Sequence, residues 1–303
     1  MLDGNSDFRR IVRRFARSRL VSEEAMPHFD QENWFALAGM GVLGLGTTTG
    51  GGSALDVAAS IEELGAVGFV GPLVETFMAC QMLTEEDVES VSRGETIASV
   101  TWDATAAPWG RLADILILID SDGEAHRCVA ERISDVETLG GDCWAHVELR
   151  PVAGLNAGHR AFAIGEIAVS AYVIGAGIRV VELAAEYART RRQFGRPIGD
   201  YQAVSHPLAE SYARLHSARD LLGVAATEID TNDSSSAGQL SARLRLISIQ
   251  SAVDAAQLAI QVHGGMGFVN ETLLAHLSKR IRHVSLLGPP QWFSEKKARP
   301  TRA

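Results

Sequence analysis

The spacing of apolar residues changes twice along the chain, and the changes divide it into three parts. From residue 5 to about residue 95, apolar positions recur every three or four residues, which is typical of one face of a helix. The clearest such face consists of Ala58, Ile61, Leu64 and Val67. Glycine-rich breaks at residues 39–46 and 50–52 separate the helices. We therefore predict a helical N-terminal domain over residues 1–95.

Short strands are predicted in the middle of the chain. Four apolar runs alternate there with Asp, Gly and Ser, and they lie at residues 97–100, 115–119, 127–130 and 145–149. The segment Asp120-Ser-Asp-Gly123 separates two of these runs and has the composition of a hairpin turn. We therefore predict a small β domain over residues 96–154.

Helical spacing returns after residue 155. Residues 160–191 are predicted to form one helix of about 45 Å. Three more apolar stripes follow: Val204, Leu208, Leu215 and Leu222; then Leu240, Leu244, Ile247, Ser251, Ala255 and Leu258; then Leu273, Leu274, Leu277, Ile281 and Val284. Four helices with short connections predict an antiparallel four-helix bundle over residues 155–303. The predicted fold class is mainly α with a small β domain.

Composition narrows the range of functions. The chain is 46% hydrophobic and 21% charged with a formal charge of -9, so we expect a globular protein that does not bind nucleic acid. The basic run at residues 9–19 is accompanied by Phe8, Ile11, Val12 and Phe15 at helical spacing, and we interpret it as the solvated face of a first helix.

Location and redox state also follow from the sequence. The longest apolar stretch, residues 167–178, is too short to span a bilayer, so we expect a cytoplasmic protein without a membrane segment. Cys80, Cys128 and Cys143 are widely spaced and odd in number, which predicts reduced core thiols.

Two candidate sites have little support. The glycines of Gly39-Met-Gly41-Val-Leu-Gly44 match the dinucleotide fingerprint, but they follow a helical segment where that motif requires a strand. We interpret them as a helix end followed by a tight loop. The bundle contains no Glu-x-x-His pair and its histidines are scattered, so no metal site is expected.

Two other segments are more informative, and each allows two interpretations. Residues 189–198 place several arginines at a predicted helix end, either as cations that favour a helix C-terminus or as ligands for phosphate oxygens. Residues 261–268 end another helix with three glycines. That segment is either a C-cap with a turn or a place where a ligand approaches bare backbone N–H groups.

Together these two segments resemble the acyl-CoA dehydrogenase family. The matching residues are Arg191-Arg192-Gln193-Phe194-Gly195-Arg196-Pro197-Ile198, Gln202, and Gln261-Val262-His263-Gly264-Gly265-Met266-Gly267-Phe268. A weaker match extends to residues 50–52 and to Glu62-Glu63-Leu64-Gly65. The resemblance implies an N-terminal helical domain, a middle β domain, which is truncated in this chain, and a C-terminal four-helix bundle.

The resemblance also implies a cofactor and a set of residues that hold it. In this family such segments bind the pyrophosphate and adenosine of an FAD that a neighbouring subunit holds for the most part. The implied FAD ligands are Arg191, Gln193, Phe194, Gln202, Gln261, Val262, His263, Gly264 and Gly265. Arg160 is the implied substrate contact.

The family reaction requires a Glu that this sequence lacks. The Glu removes the α-proton of an acyl-CoA thioester while the β-hydrogen leaves as hydride to the flavin. One position of the base holds Leu287 here and the other holds His159, so no catalytic residue is assigned to this chain. The family's Thr-Glu-x-x-x-Gly-Ser-Asp stretch, which flanks the flavin ring, is also missing after Thr101-Trp102.

Short members of this kind resemble subunits of heteromeric α2β2 dehydrogenases in steroid catabolism. The resemblance implies three partners: a homologous chain with an intact Glu, a bulky steroid-type acyl-CoA, and an electron-transfer flavoprotein. The sequence is thus interpreted as an oxidoreductase subunit that completes the FAD site of a catalytic partner. The alternative is a non-enzymatic scaffold that only stabilises that partner.

Overall fold

A computed structural model describes residues 6–20, 28–138, 142–231 and 235–298. The first part of the chain is helical: α1 Ser6–Phe15, α2 Gln31–Gly39, α3 Ala54–Ala66, α4 Leu73–Ala79 and α5 Glu85–Ser92. Side-chain caps fix where three of these helices begin. Asp30 accepts a hydrogen bond from the backbone N of Glu32, Ser53 and Asp56 form a reciprocal capping box, and Thr84 caps α5.

The glycines of residues 39–44 end a helix, as predicted. Helix α2 stops at Gly39, and Gly41 adopts a left-handed conformation with φ of 78°. A single 3₁₀ turn, Val42–Gly44, follows. No strand precedes these glycines among the described residues, so the dinucleotide interpretation has no structural support.

A five-stranded sheet follows the first helices. Its strands are β1 Ala98–Thr101, β2 Ala106–Ala107, β3 Ile115–Ile119, β4 Ala125–Asp135 and β5 Ala145–Leu155, in the spatial order β1-β3-β4-β5-β2. β1 pairs with β3 in parallel and the other pairs are antiparallel. The predicted hairpin joins β3 to β4, where Ile119 pairs with Ala125 and the Asp120 carboxylate accepts two backbone N–H bonds.

The sequence underestimated the two longest strands and missed β2. The C-terminal halves of β4 and β5 are exposed on both faces, so their sequences show no alternation of apolar and polar residues. Cross-strand ion pairs help to hold them together, including Arg150 with Glu131 at 2.7 Å and Arg132 with Glu148 at 3.4 Å.

The last part of the chain is a helical bundle. It contains α6 His159–Thr190, α7 Gln202–Thr231, α8 Ser235–His263, α9 Leu273–Val284 and α10 Gln291–Ala298. Between α6 and α7 lies a small hairpin of β6 Arg192–Gln193 and β7 Arg196–Pro197. The long first helix, predicted over residues 160–191, is confirmed. Helix α10 was not predicted, and the domain boundaries given above stay predictions.

Helix α6 is the central element of the bundle. It is long and apolar enough to cross a bilayer, but 94% of its most apolar window is buried inside the protein. Glycines allow α3 to approach it closely, because a Cβ added at Gly65 would collide with the backbone of Tyr172 and one at Gly175 with the backbone of Glu62. The crossing of α3 and α6 therefore depends on these two glycines.

Some residues differ from the prediction in whether they are buried or exposed. Ile11 is 52% exposed and Ile247 is 48% exposed, although both were assigned to apolar faces. Conversely, Arg9 is only 8% exposed, so the basic run is not wholly solvated. Its guanidinium is buried because Glu62 and Glu63 of α3 neutralise it, at 2.9 and 2.7 Å.

The cysteines are free thiols. Cys80 and Cys128 are buried and Cys143 is half-buried. Burial raises the pKa of the Cys80 thiol to about 12 and also raises the pKa values of the other two thiols. These thiols are therefore protonated at neutral pH, which makes them poor nucleophiles.

Candidate cofactor-binding site

A tight hairpin follows α6 and contains the predicted phosphate-binding arginine. The backbone N of Arg191 donates to the carbonyl of Tyr187 at 2.8 Å, which ends the helix. The turn residues Phe194 and Gly195 have φ values of 50° and 85°. Positive φ at both central residues is typical of two-residue hairpin turns, and it costs a Phe about 1–2 kcal/mol.

The hairpin is braced at its base. The guanidinium of Arg196 lies 3.9 Å from the centroid of the Tyr201 ring. The hydroxyl of Tyr201 donates to the carbonyl of Gln193 at 3.3 Å, and the backbone N of Ile198 donates to the carbonyl of Arg191 at 2.8 Å. The bracing presents Phe194 to the outside, where its side chain is 93% exposed.

The glycine segment follows the end of α8. A 3₁₀ turn, Gly264–Phe268, begins directly after His263, and Gly264 has φ of 60°. Gly267 is required for packing, because a Cβ there would lie 2.7 Å from the carbonyl of Ile260. Gly265 faces open space and has an ordinary φ, so the fold does not require a glycine at this position. A C-cap with a turn therefore accounts for two of the three glycines.

The structure brings the two segments together. The ring of Tyr187, in the last turn of α6, stacks on the ring of His263 with centroids 4.4 Å apart and an angle of 23° between planes. The His263 ring is also held by a 2.8 Å hydrogen bond between its Nδ1 and the carbonyl of Ala259. Arg191 and the glycine turn consequently lie at the same end of the bundle.

Most of the predicted FAD ligands are accessible at this end. Val262 and His263 are half-buried, and the exposed ones are Arg191, Gln193, Phe194, Gln202, Gln261, Gly264 and Gly265. The guanidinium of Arg191 pairs with no carboxylate among the described residues. An uncompensated guanidinium at the same end of the bundle as glycines that face open space fits a pyrophosphate group.

Arg160, the predicted substrate contact, is already engaged with the protein. Its guanidinium donates to Gln81 Oε1 at 3.1 Å and to the carbonyl of Ile229 at 3.1 Å. It also contacts the Asp230 carboxylate at 3.3 Å and the carbonyl of Gly46 at 3.5 Å. These contacts tie α6 to the end of α7, and the substrate role of Arg160 stays a prediction.

The two positions of the family's base differ in their surroundings. His159 is the exposed first residue of α6, whereas Leu287 is 3% exposed in the loop after α9. Glu271, the carboxylate nearest the glycine turn in sequence, is exposed and precedes Thr272, whose side chain caps α9. The sequence predicted that this helix would be the last one of the bundle. That prediction is wrong, because α10 follows α9.

A buried arginine that the sequence analysis missed holds the Leu287 loop. Arg245 of α8 is 1% exposed and donates to the carbonyls of Ser285 and Leu287, both at 2.9 Å, and to that of Pro289. Burial lowers its pKa, and Glu166, 3.4 Å away, partly offsets this effect. The sequence did contain a sign of this buried arginine, because Arg245 directly follows Leu244 in the apolar stripe of α8.

Aromatic side chains fill the space between the sheet and the bundle. Trp102, just after β1, packs against Phe162 of α6 with ring centroids 6.1 Å apart. Phe293 of α10 lies 6.2 Å from Trp102 and 5.1 Å from Phe162. We call these three residues the aromatic wedge. The wedge lies where the end of β1, the start of α6 and helix α10 meet.

Metal ligands are not grouped in the described part of the chain. Among residues 6–20, 28–138, 142–231 and 235–298, no three His, Cys, Asp or Glu side chains lie together as a metal site would need.

The chain is similar in sequence to known proteins. Residues 153–288 match the acyl-CoA dehydrogenase C-terminal domain. The acyl-CoA dehydrogenase IpdE2 of Mycolicibacterium smegmatis is 30% identical over 261 residues, which cover 80% of this chain and 77% of that protein.

Two solved structures share the fold. A variant of the steroid ACAD Tcur3481–Tcur3483 superposes with a TM-score of 0.79 at 19% identity, covering 97% of this chain and 96% of that one. The ChsE4–ChsE5 complex of Mycobacterium tuberculosis gives a TM-score of 0.80 at 20% identity, covering 96% and 94%. By its sequence relatives, its domain match and its fold, the chain belongs to the acyl-CoA dehydrogenase family.

Proposed function

We propose that this chain is the non-catalytic subunit of a heteromeric, FAD-dependent acyl-CoA dehydrogenase. One observation carries the proposal. The end of the bundle that is suited to phosphate is accessible, whereas the two positions where the family places its catalytic Glu hold no carboxylate. Arg191 and the glycine turn form that end, while Leu287 and His159 occupy the base positions.

In this proposal the chain contributes binding, and its partner contributes the base. Arg191 neutralises the pyrophosphate of an FAD held mainly by the partner, and Gly264 and Gly265 let the cofactor approach the backbone. FAD supplies the hydride acceptor when it is bound. Leu287 has no group that takes a proton and His159 is not the family's Glu, so in this proposal the α-proton goes to a Glu of the partner.

Exposed apolar side chains support a partner at this end. Phe194 is 93% exposed, Phe268 76% and Met266 53%, and all three belong to the hairpin or the glycine turn. Large apolar side chains clustered in this way are typical of interaction surfaces. A homologous chain with an intact Glu is the partner we propose, in an α2β2 heterotetramer.

The aromatic wedge supports the assignment of this chain as the non-catalytic half. Trp102, Phe162 and Phe293 pack together just after β1, next to the place where, by the resemblance, the missing Thr-Glu-x-x-x-Gly-Ser-Asp stretch would flank a flavin ring. Filling that region with aromatic rings adds buried apolar area, which stabilises the fold without a ligand.

The proposed substrate is a bulky, steroid-derived acyl-CoA, because one of the structural relatives is a steroid ACAD and another is a complex of two chains. Electrons are proposed to leave through an electron-transfer flavoprotein. A cytoplasmic location is proposed as well, because α6, the one helix of the described part apolar enough to cross a bilayer, is buried.

Co-expression with the homologous partner tests the proposal. We expect a flavoprotein with fewer flavins than chains, and a colourless, aggregation-prone product when this chain is expressed alone. A monodisperse, FAD-loaded homotetramer of this chain would contradict the proposal. If the partner alone bound and retained FAD as well as the complex does, the scaffold alternative would be favoured.

A further inference from the structure

A charged crevice lies apart from the proposed cofactor site. It is bounded by α1 and the turn after it, by α3, by the middle of α6 and by α7, and it encloses about 490 Å³. Its lining includes five arginines: Arg9, Arg13, Arg17, Arg179 and Arg219. Arg179 and Arg191 are twelve residues apart in sequence, so the crevice lies roughly 18 Å along α6 from the hairpin.

Two glutamates of α3 neutralise the deepest arginines. Glu62 accepts a hydrogen bond from Arg9 at 2.9 Å and forms an ion pair with Arg219 at 2.8 Å. Glu63 accepts from Arg9 and from Arg13, both at 2.7 Å. Two carboxylates thus serve three guanidinium groups, which leaves this inner cluster with one positive charge in excess.

The outer wall of the crevice carries two more arginines, Arg17 and Arg179. Arg179 pairs with Glu182 at 3.1 Å and with Glu186 at 3.4 Å. Arg17 has no carboxylate partner among the described residues. The five arginines of the lining face three glutamates there, a formal surplus of two, which falls to one if Glu186 is counted.

Two aromatic side chains of α7 also line the crevice. The ring of His216 packs against Tyr212 with centroids 4.2 Å apart. The wall of the crevice on α7 is therefore partly aromatic.

We infer that this crevice binds a small molecule that carries a phosphate group. Surplus guanidinium charge in a partly enclosed space favours an anion, and planar guanidinium groups match phosphate oxygens. The volume of about 490 Å³ suits a ligand larger than orthophosphate, such as a nucleotide or a diphosphate. The surplus is local, because the chain as a whole has a formal charge of -9.

Arg17 is the residue to change, because it is exposed and no described carboxylate depends on it. Inorganic pyrophosphate and adenosine 5′-monophosphate are titrated into the complex with its partner by calorimetry. We expect one site per chain of this kind, and Arg17→Ala should weaken binding about tenfold or more. Tighter binding of the nucleotide than of pyrophosphate would identify a nucleotide ligand, and the reverse would identify a diphosphate.

Arg14→Ala is the matched control, because Arg14 lies three residues before Arg17 at the end of α1, is exposed and does not line the crevice. Both variants remove one charge, so an equal loss in both would mean non-specific attraction and would overturn the proposal. Absence of saturable binding up to about 10 mM would overturn it as well. So would hydrogen-exchange protection of residues 13–17 on assembly, because it would mean that the partner chain covers the crevice.

Discussion

The aromatic ring of Tyr187 stacks on the imidazole of His263, with centroids 4.4 Å apart, and this contact joins the end of α6 to the end of α8. Since the backbone of Arg191 is hydrogen-bonded to Tyr187, the stack couples the arginine hairpin to the glycine turn. Two segments 70 residues apart in sequence, Arg191 and Gln261, thus belong to one surface.

Loss of this stack should loosen the cofactor site without unfolding the bundle. We expect Tyr187→Ala to lower the FAD retained by the complex, because an aromatic pair contributes about 0.5–1.5 kcal/mol beyond its buried area. Tyr187→Phe keeps the ring and should retain FAD as the wild type does. Flavin absorbance after gel filtration measures both. Equal losses in the two variants would mean that the hydroxyl, and not the stack, matters.

Arg191→Ala should reduce FAD retention more strongly. Truncating one partner of a buried charge pair typically costs about 2–5 kcal/mol, so the dissociation constant should rise at least about tenfold. Arg192→Ala is the control, since the Arg192 side chain bonds the carbonyl of Gly195 within the hairpin. Unchanged flavin content in Arg191→Ala would show that this arginine does not hold the pyrophosphate.

Catalysis should depend on the partner's Glu alone. Replacing that Glu by Gln is expected to abolish turnover and leave FAD bound, because the change is nearly isosteric. In this chain, His159→Ala and Glu271→Gln should both leave a measurable rate, since each residue is exposed and neither is the family's Glu. A loss in kcat of more than about a hundredfold on Glu271→Gln, with FAD unchanged, would assign a catalytic base to this chain.

Glu75 of α4 should make stability depend on pH. It is 1% exposed, and neither of its carboxylate oxygens has a hydrogen-bond partner in the described structure. Burial raises its pKa to about 8, with Asp142 adding to the rise and Arg280 opposing it. Between its ordinary pKa of 4.5 and about 8, the folded chain therefore holds a proton that the unfolded chain has lost.

This carboxyl should consequently lower the free energy of unfolding as pH rises from about 4.5 to about 8, with no further change above that. Glu75→Gln removes the titration, so its melting temperature relative to the wild type should rise across the same window. Glu86→Gln, at an exposed position of α5, is the control. A constant difference between Glu75→Gln and wild type across the window would show that Glu75 is ionised in the folded state.

The sequence predicted best where one periodic signal was long and uninterrupted. Helix α6 was located to within one residue at each end, because its apolar residues continue for most of its length. Helix α10 was missed, since it is short and its apolar contacts come mainly from Trp292 and Phe293. Periodicity detects a continuous face, and two adjacent aromatic residues do not make one.

Contacts between residues that are distant in sequence could not be predicted from local patterns. Arg9 was assigned to solvent because its neutralising partners, Glu62 and Glu63, lie more than 50 residues away and no local pattern indicates them. The motif around Arg191 identified the cofactor candidates, but the stack that joins Tyr187 to His263 required the fold. The clamp of Arg245 on the Leu287 loop was missed for the same reason.

The aromatic wedge has a consequence for how the chain diverges among related species. A residue that touches a substrate is constrained by the shape of that substrate, whereas Trp102, Phe162 and Phe293 pack against one another and against the surrounding hydrophobic core. Orthologues should therefore exchange these three for other large apolar residues in a correlated way, with the combined volume preserved. Arg191 and Gly264 should stay fixed over the same evolutionary distance, so compensated drift would be confined to the wedge.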